Sequence, residues 1–327
     1  MKYKPRILVV GSYVMDMIVK TNKIPDEGET VIDGISFSTA AGGKGANQAV
    51  QAARLGANVT MVGRVGEDFF GSELIKSANE SGIDTKYTSR DKEVSSAVGN
   101  VLLEVKQGQK VKNRIIVVPG ANMRITVKDI EPIKIIIGDF DIVMLQLEIP
   151  TEVNEAVASY AYEKGVPVML NPAPSALLSD RLLSKLTYIS PNEHEASDIT
   201  GIEIRMINNK PDMDDVMRIA SKLLLKVKNV IITLGSNGVV FMNKEKFIYR
   251  PCVDIVKVID PTAAGDSFVA SFCTSISSGM SEEEAIDFAN HAAALTVSRT
   301  GAQPSLPYFK EVINVMNESR RDAMNEK

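Results

Sequence analysis

Apolar runs of two kinds alternate along this chain, and that alternation limits the folds open to it more than any other feature. "RILVVGS" (6 to 12), "DIVMLQLE" (141 to 148), "VPVML" (166 to 170), "TYIS" (187 to 190) and "NVIITLG" (229 to 235) are short, nearly unbroken apolar stretches. Strands buried on both faces of a parallel sheet read this way. Helix-period segments separate them. "GANQAVQAARLGA" (45 to 57) sets Ala46, Ala49, Val50 and Ala53 at helical spacing and stops at Gly56, and residues 151 to 164 and 212 to 228 supply further helices. The last third reads as helix over 265 to 279, 282 to 298 and 307 to 322. Such repetition builds an α/β fold, a mostly parallel central sheet with helices on both faces.

Three segments depart from the pattern: "YVMDMIVKT" (13 to 21), "ETVIDGISFSTA" (29 to 40), and "SSAVGNVLLEV" with "NRIIVVP" inside 95 to 118. All alternate apolar and polar residues, as half-exposed antiparallel strands do. They are expected to form a small antiparallel sheet standing as a lid over one end of the main one. Substrate closure or a second subunit must cover its apolar face, because a bare small sheet invites aggregation. With no repeat, low-complexity tract or linker in sight, residues 1–327 read as one domain carrying this lid.

Charge and cysteine content narrow the function. A net charge of -4 gives no electropositive field to draw nucleic acid or an anionic membrane, so an anionic ligand must be held by local groups. Two cysteines, Cys252 and Cys273, and two histidines exclude a disulfide framework and cysteine- or histidine-rich metal chemistry. No apolar stretch approaches the length of a membrane span, and "MKYKPRILVVGS" has too short an apolar run for a signal peptide. The expected setting is a reducing cytoplasm.

Two glycine-bearing stretches carry chemistry. In "DPTAAGDSF" (260 to 268), Ala263, Ala264 and Gly265 stand at the start of a helix, where free N–H groups and the dipole favour an anion and small side chains let a phosphate approach. Asp266 in the first turn is then placed to take a proton from an attacking hydroxyl; alternatively it only stabilises the helix start, by roughly 0.5–1 kcal/mol. "AAGGKGANQA" (40 to 49) lets the backbone pass close to a small ligand at Gly42, Gly43 and Gly45, or is a plain turn with Lys44 a solvated charge. It is no Walker loop, and no GxGxxG follows a strand, which argues against a dinucleotide-dependent dehydrogenase.

Taken in order, "AAGGKGANQAVQAARLGANVTMVGRVGEDFFG", "MLQLEIP", "LNPAPS", "SPNEHE", "TLGSNG", "DPTAAGDSF" and "RTGAQPS" span essentially the whole chain. Together they resemble the ribokinase-like family of sugar and nucleoside kinases. The resemblance implies transfer of the ATP γ-phosphoryl group to a sugar hydroxyl, with Asp266 as base and the Ala263, Ala264, Gly265 and Asp266 backbone as anion hole. It implies a sugar pocket at Asp16, Gly42, Gly43, Lys44, Asn47 and Glu148. Asn192 and Glu195 fall near magnesium and the phosphates, Glu195 through water, with Thr233, Gly235, Ser236 and Gly238 forming the nucleotide turn and Asn290 beside adenine. A monovalent cation, usually K+, is implied at Asp260, Thr262, Thr296, Arg299, Gly301 and Ser305, mostly through backbone carbonyls. A homodimer through the lid strands is implied as well.

One departure bears on the substrate. Where such sugar kinases carry Asn in a "GSxNxD" run, this chain has "GSYVMD" with Val14, which cannot hydrogen-bond a hydroxyl. D-ribose, phosphorylated on its 5-hydroxyl, is the first expectation and 2-deoxyribose the alternative; apolar pockets discriminate such pairs by only about a hundredfold. A nucleoside kinase and a non-catalytic sugar sensor complete the alternatives, the latter disfavoured because base and anion hole are both present. Pro261 restricts the backbone beside the implied cation site, which leaves the need for K+ open.

Overall fold

The computed structural model describes residues 3–105, 112–254 and 257–325. Its first third runs β1 (Arg6–Val10), β2 (Val14–Thr21), β3 (Gly34–Gly42), α1 (Lys44–Arg54), β4 (Asn58–Gly66), α2 (Phe69–Glu80), β5 (Asp84–Asp91), β6 (Val98–Glu104) and β7 (Lys112–Val118). Two single-turn helices follow, α3 (Val127–Ile130) and α4 (Ile133–Ile136), then β8 (Ile142–Leu145), α5 (Thr151–Glu163), β9 (Val168–Leu170), α6 (Asp180–Leu183), β10 (Tyr188–Ile189) and α7 (Glu193–Thr200). A short hairpin, β11 (Met206–Ile207) with β12 (Lys210–Pro211), leads into α8 (Met213–Leu223) and the strands β13 (Asn229–Thr233), β14 (Val239–Met242) and β15 (Phe247–Arg250). Three helices close the chain: α9 (Ala264–Ser277), α10 (Glu282–Val297) and α11 (Phe309–Asn325).

Nine strands form the main sheet in the order β15-β14-β13-β10-β9-β8-β1-β4-β5. All neighbours run parallel except the β13-β14 and β14-β15 pairs at one edge. The unbroken apolar runs have a simple cause. On β1, Leu8 and Val10 enter one core while Ile7 and Val9 enter the other, and β8 divides Val143 and Leu145 from Ile142 and Met144 in the same way. Helices α5 and α8 cover the first face; α1, α9 and α10 cover the second. With side chains of successive residues pointing to opposite faces, a strand sandwiched between two helix layers has no position for a polar residue.

The alternating segments form the expected second sheet, ordered β3-β2-β6-β7. Its outer pairs, β2-β3 and β6-β7, are antiparallel, whereas β2 and β6 run parallel at the centre. The parallel join follows from connectivity: β2 continues from β1 and β6 from β5, and those two strands point the same way in the main sheet. Residues 29–33 precede β3 rather than belonging to it, and positions 106–111 of the anticipated 95–118 pair lie outside the described residues. Register sorts the two faces of this sheet, because residues opposite each other across strands share a face. Asp16, Gly99 and Val117 stand on one; Thr39, Met17, Asn100 and Ile116 stand on the other. Ile35, Phe37 and the run Ile115 to Val118 are exposed. Among the described residues, no helix is long and apolar enough to cross a membrane.

Candidate active site

Helix α9 begins where its sequence admits a sharp entry. Ala263, its N-cap, is left-handed with φ 60, a conformation L-residues rarely adopt, and strain of this kind gathers at functional sites. Ala264 N–H is taken by the Pro261 carbonyl at 3.2 Å, while Ser267 N–H already donates within the helix to Ala263 O at 2.8 Å. The N–H groups of Gly265 and Asp266, one turn too early for an intrahelical acceptor, are the donors left for an anion. Gly265 leaves open space where a side chain would stand.

The Asp266 carboxylate is buried one residue further on, and α1 supplies its partners. Asn47 Nδ2 donates to Oδ2 at 2.9 Å and Gln48 Nε2 to Oδ1 at 3.1 Å. Burial pushes this carboxyl up, and Lys44 with the two amides pulls it back. Lys44 opens α1 after Gly43, whose φ of 92 lets the chain turn off β3. Burial works to strip the Lys44 proton, but Asp266, Glu148 and Glu195 outweigh it and hold the ammonium above its ordinary range. Lys44 is therefore a half-buried cation facing the field of three carboxylates, not a freely solvated charge.

Asn192 and Glu195 cap α7 reciprocally: Glu195 N donates to Asn192 Oδ1 at 2.8 Å, and Asn192 N donates to Glu195 Oε2 at 2.9 Å. Burial raises the Glu195 carboxyl, partly offset by the Asn192 N–H and by Lys44. These two residues, Lys44, Thr233 at the end of β13, and the run Ala263 to Asp266 line one cavity of about 220 Å³. The pair is thus at once a reciprocal helix cap and part of the cavity wall. The donor set fits Mg2+ bound through phosphates, since that ion takes one or two carboxylates and keeps much of its water. Among the described residues no group of three or more acidic, His or Cys side chains forms a metal cage.

Next to the cavity, Glu148 Oε2 accepts from Ser12 Oγ at 2.5 Å and from Lys44 N at 2.9 Å, which ties the strand end to the glycine loop. Asp16 reaches the same region from β2. A Cβ at Gly42 would lie 2.6 Å from its Oδ2 and one at Gly99 2.4 Å from its Oδ1, so the carboxylate occupies a slot that only two glycines leave open. Burial, with the Glu148 charge second, pushes Asp16 up to about 6. Val14 is buried on the same strand, and its Cγ1 would be 3.7 Å from a Cβ at Gly99. It forms an apolar wall beside this slot.

The remaining implied positions are placed as follows. Gly235 to Asn237 make a 3-10 turn after β13, with Gly235 at φ 52 and Gly238 at φ 95. Ser236 is exposed on that turn. Asn290, on α10, donates through Nδ2 to Pro251 O at 2.7 Å and so anchors the loop after β15. Asp260 Oδ1 accepts from Thr262 N at 2.9 Å and Thr262 Oγ1 at 2.6 Å, and Oδ2 accepts from Gly301 N at 2.8 Å. Burial opposes Asp260 ionisation, yet those donors hold it below the usual carboxylate range. Its own N–H bonds Val297 O at 3.1 Å, which docks the loop on the carboxyl end of α10 near Thr296. A monovalent cation, if bound here, would take the Asp260 carboxylate together with backbone carbonyls of this loop. The Arg299 and Ser305 side chains are engaged elsewhere, with Glu311 at 2.5 Å and Ala302 O at 2.7 Å, so only their backbone is available to that site.

Sequence reasoning missed Ser12, Gln48 and Asn171. All three hold site residues in place rather than carrying a recognisable chemistry, and the one available signal was the amide cluster Asn47, Gln48 and Gln51 on a helix otherwise rich in alanine.

A cavity of about 220 Å³ at a helix start, walled by a buried carboxylate and a lysine, is suited to holding a phosphate beside a proton acceptor. The comparisons agree. The chain belongs to the pfkB family of carbohydrate kinases, whose family model matches residues 4–308. It is 38% identical over 315 residues to the ribokinase of Bacillus subtilis, covering 95% of this chain and 99% of that protein. It is 36% identical to the ribokinase of Schizosaccharomyces pombe, over 95% and 98%. The structure of Arabidopsis thaliana ribokinase complexed with ribose and ATP superposes with a TM-score of 0.86 at 34% identity, over 95% and 98% of the two chains.

Proposed function

We propose that this chain transfers the γ-phosphoryl group of ATP to the 5-hydroxyl of D-ribose, giving ribose 5-phosphate. The observation that carries the proposal is the Asp266 carboxylate, buried in the same cavity as the free N–H groups of α9 and the Lys44 side chain. Asp266 takes the hydroxyl proton as the oxygen attacks phosphorus in line, provided the hydroxyl docks within about 3 Å. The α9 start, from Ala263 to Gly265, cradles the migrating group, and Lys44 balances the charge that spreads over its oxygens. Asp16, Asn47 and Glu148 bind the sugar hydroxyls, with Gly42 and Gly43 giving backbone room; Thr233, Gly235, Ser236, Gly238 and Asn290 serve the nucleotide. Mg2+ near Asn192 and Glu195 would neutralise phosphate charge. K+ near Asp260 and Thr262 would add positive potential beneath the anion hole. Closure of the lid excludes water so that ATP is not hydrolysed instead. The free thiols Cys252 and Cys273 suit a reducing cytoplasm.

Val14 supports 2-deoxyribose as the second reading, because a methyl wall gives nothing to a 2-hydroxyl. An assay of ADP release with ATP and Mg2+ across ribose, 2-deoxyribose, fructose and adenosine, with and without K+, tests the whole reading. Ribose is expected to give the highest kcat/KM, and Val14→Asn to move preference further toward ribose by about tenfold, the worth of one hydrogen bond. Equal preference in the native chain and Val14→Asn would remove Val14 from the specificity argument. Adenosine as the best substrate would replace the sugar reading.

The exposed apolar lid face supports a homodimer joined through the lids. Phe37 and Ile116 stand on the face opposite Asp16, so Phe37→Asp with Ile116→Asp should yield a monomer in sedimentation at micromolar concentration while the fold persists. A native chain that sediments as a monomer would contradict this assembly.

A further inference from the structure

Behind Asp266 lies a chain of buried amides with one direction. Gln48 is fully buried; its Nε2 donates to Asp266 Oδ1 at 3.1 Å and to Asn171 Oδ1 at 3.2 Å. Its Oε1 accepts from Nε2 of the equally buried Gln146 at 2.7 Å. Asn171 passes its own Nδ2 to Ser190 O at 2.9 Å. An ionised carboxylate can only accept, so Gln48 must turn its amide nitrogen toward Asp266, and Gln146 must then donate rather than accept. The arrangement leaves Gln146 Oε1 buried without a hydrogen-bond partner, and a Cβ at Gly11 would sit 2.0 Å from it. A buried orphan acceptor costs about 1–3 kcal/mol, and apolar side chains of the same shape would fill this space more cheaply. The network is therefore costly as packing and consistent as a mount for Asp266.

We propose that Gln48, oriented by Gln146, is a positioning residue that fixes the Asp266 carboxylate for proton abstraction. The proposal rests on Asp266 being the base. With Asn47 on Oδ2 and Gln48 on Oδ1, rotation of the carboxylate is blocked from both sides. Gln48 also supplies, without a charge, part of what keeps this acid ionised in its buried place. The charged groups facing Asp266 are Lys44 from α1, Glu148 from the turn after β8 and Glu195 from α7, and Gln48 acts beside them.

The test is the pH dependence of kcat at saturating sugar and Mg-ATP for the native chain, Gln48→Met and Gln48→Glu, with melting temperatures measured alongside. Loss of the donor should move the acid limb of kcat to higher pH by at least half a unit in Gln48→Met, with turnover partly restored at alkaline pH. Gln48→Glu keeps the shape and sets a second carboxylate against the first, so its limb should move by more than one unit. It remains informative if Gln48→Met fails to fold. A lowered melting temperature with the acid limb unmoved would reduce Gln48 to packing and overturn the proposal. Failure of the underlying reading would look different: Asp266→Asn would then retain turnover, whatever Gln48 does.

Discussion

Asp266→Asn is expected to lower kcat by about 10²- to 10⁴-fold, the usual contribution of a positioned base, while sugar affinity changes by no more than a few-fold. The substitution is isosteric but reverses one hydrogen bond, since an amide nitrogen must now face either Asn47 or Gln48. Gln48 is held in orientation by Gln146, whereas Asn47 Oδ1 is buried and without a partner. Asn47 is thus free to turn its amide and accept from the new residue, so the fold should tolerate the change. Turnover by ADP release, and ribose binding by calorimetry on the same preparation, check both halves. Near-native turnover would show that Asp266 is no base. Lost ribose binding would show that its role is in holding the sugar.

The second large effect is expected at Asp16. Half-burial, with the Glu148 charge second, pushes its carboxyl up from the ordinary 3.8 to about 6. If Asp16 binds the sugar as proposed, the sugar hydroxyls donate to the ionised form, so kcat/KM for the sugar should fall as pH drops through about 6, approaching tenfold per unit below it. On the same proposal, Asp16→Asn would lose its charge-assisted bonding to the sugar and should raise the sugar KM by about 100-fold with kcat less affected. Stability should move the other way. The folded chain binds more protons than the unfolded one between about 3.8 and 6, so this carboxyl's contribution declines as pH rises through that window and is fully unfavourable above it. At pH 7 to 8 Asp16→Asn should therefore melt higher, by about 2 °C given Asp16's partial exposure. A variant that loses affinity without gaining stability would mean that Asp16 has a partner in the unliganded protein. Gly99→Ala offers a steric counterpart, since its Cβ would displace Asp16 Oδ1 without touching the charge.

How much of this could be read from the sequence varies with the physics behind each feature. The layered α/β architecture was legible because strands such as β1 are buried on both faces, and that leaves an unbroken apolar run. The lid strands were legible by alternation, but their central parallel pairing was not, since it depends on which main-sheet strands precede them. Asp266 was accessible because a bare helix start favours an anion, whereas Lys44 and Asn47 were implied only by the family resemblance. Gln48 was not: an amide at a helical position carries no signature until the fold brings residues 98 and 218 positions away against it. Asp260 shows the same limit. The family resemblance implied a cation there, and the structure adds that its carboxylate latches this loop to Gly301 and Thr262.

The central claim is that one buried carboxylate beside a bare helix start performs the proton transfer. A crystal structure of this chain with a pentose and a non-hydrolysable ATP analogue tests it most directly. An Asp266 oxygen should lie about 3 Å from the sugar's primary hydroxyl, with the terminal phosphate over the Gly265 and Asp266 N–H groups. A sugar hydroxyl directed at another residue, with Asp266 bonded only to Asn47 and Gln48, would contradict the account.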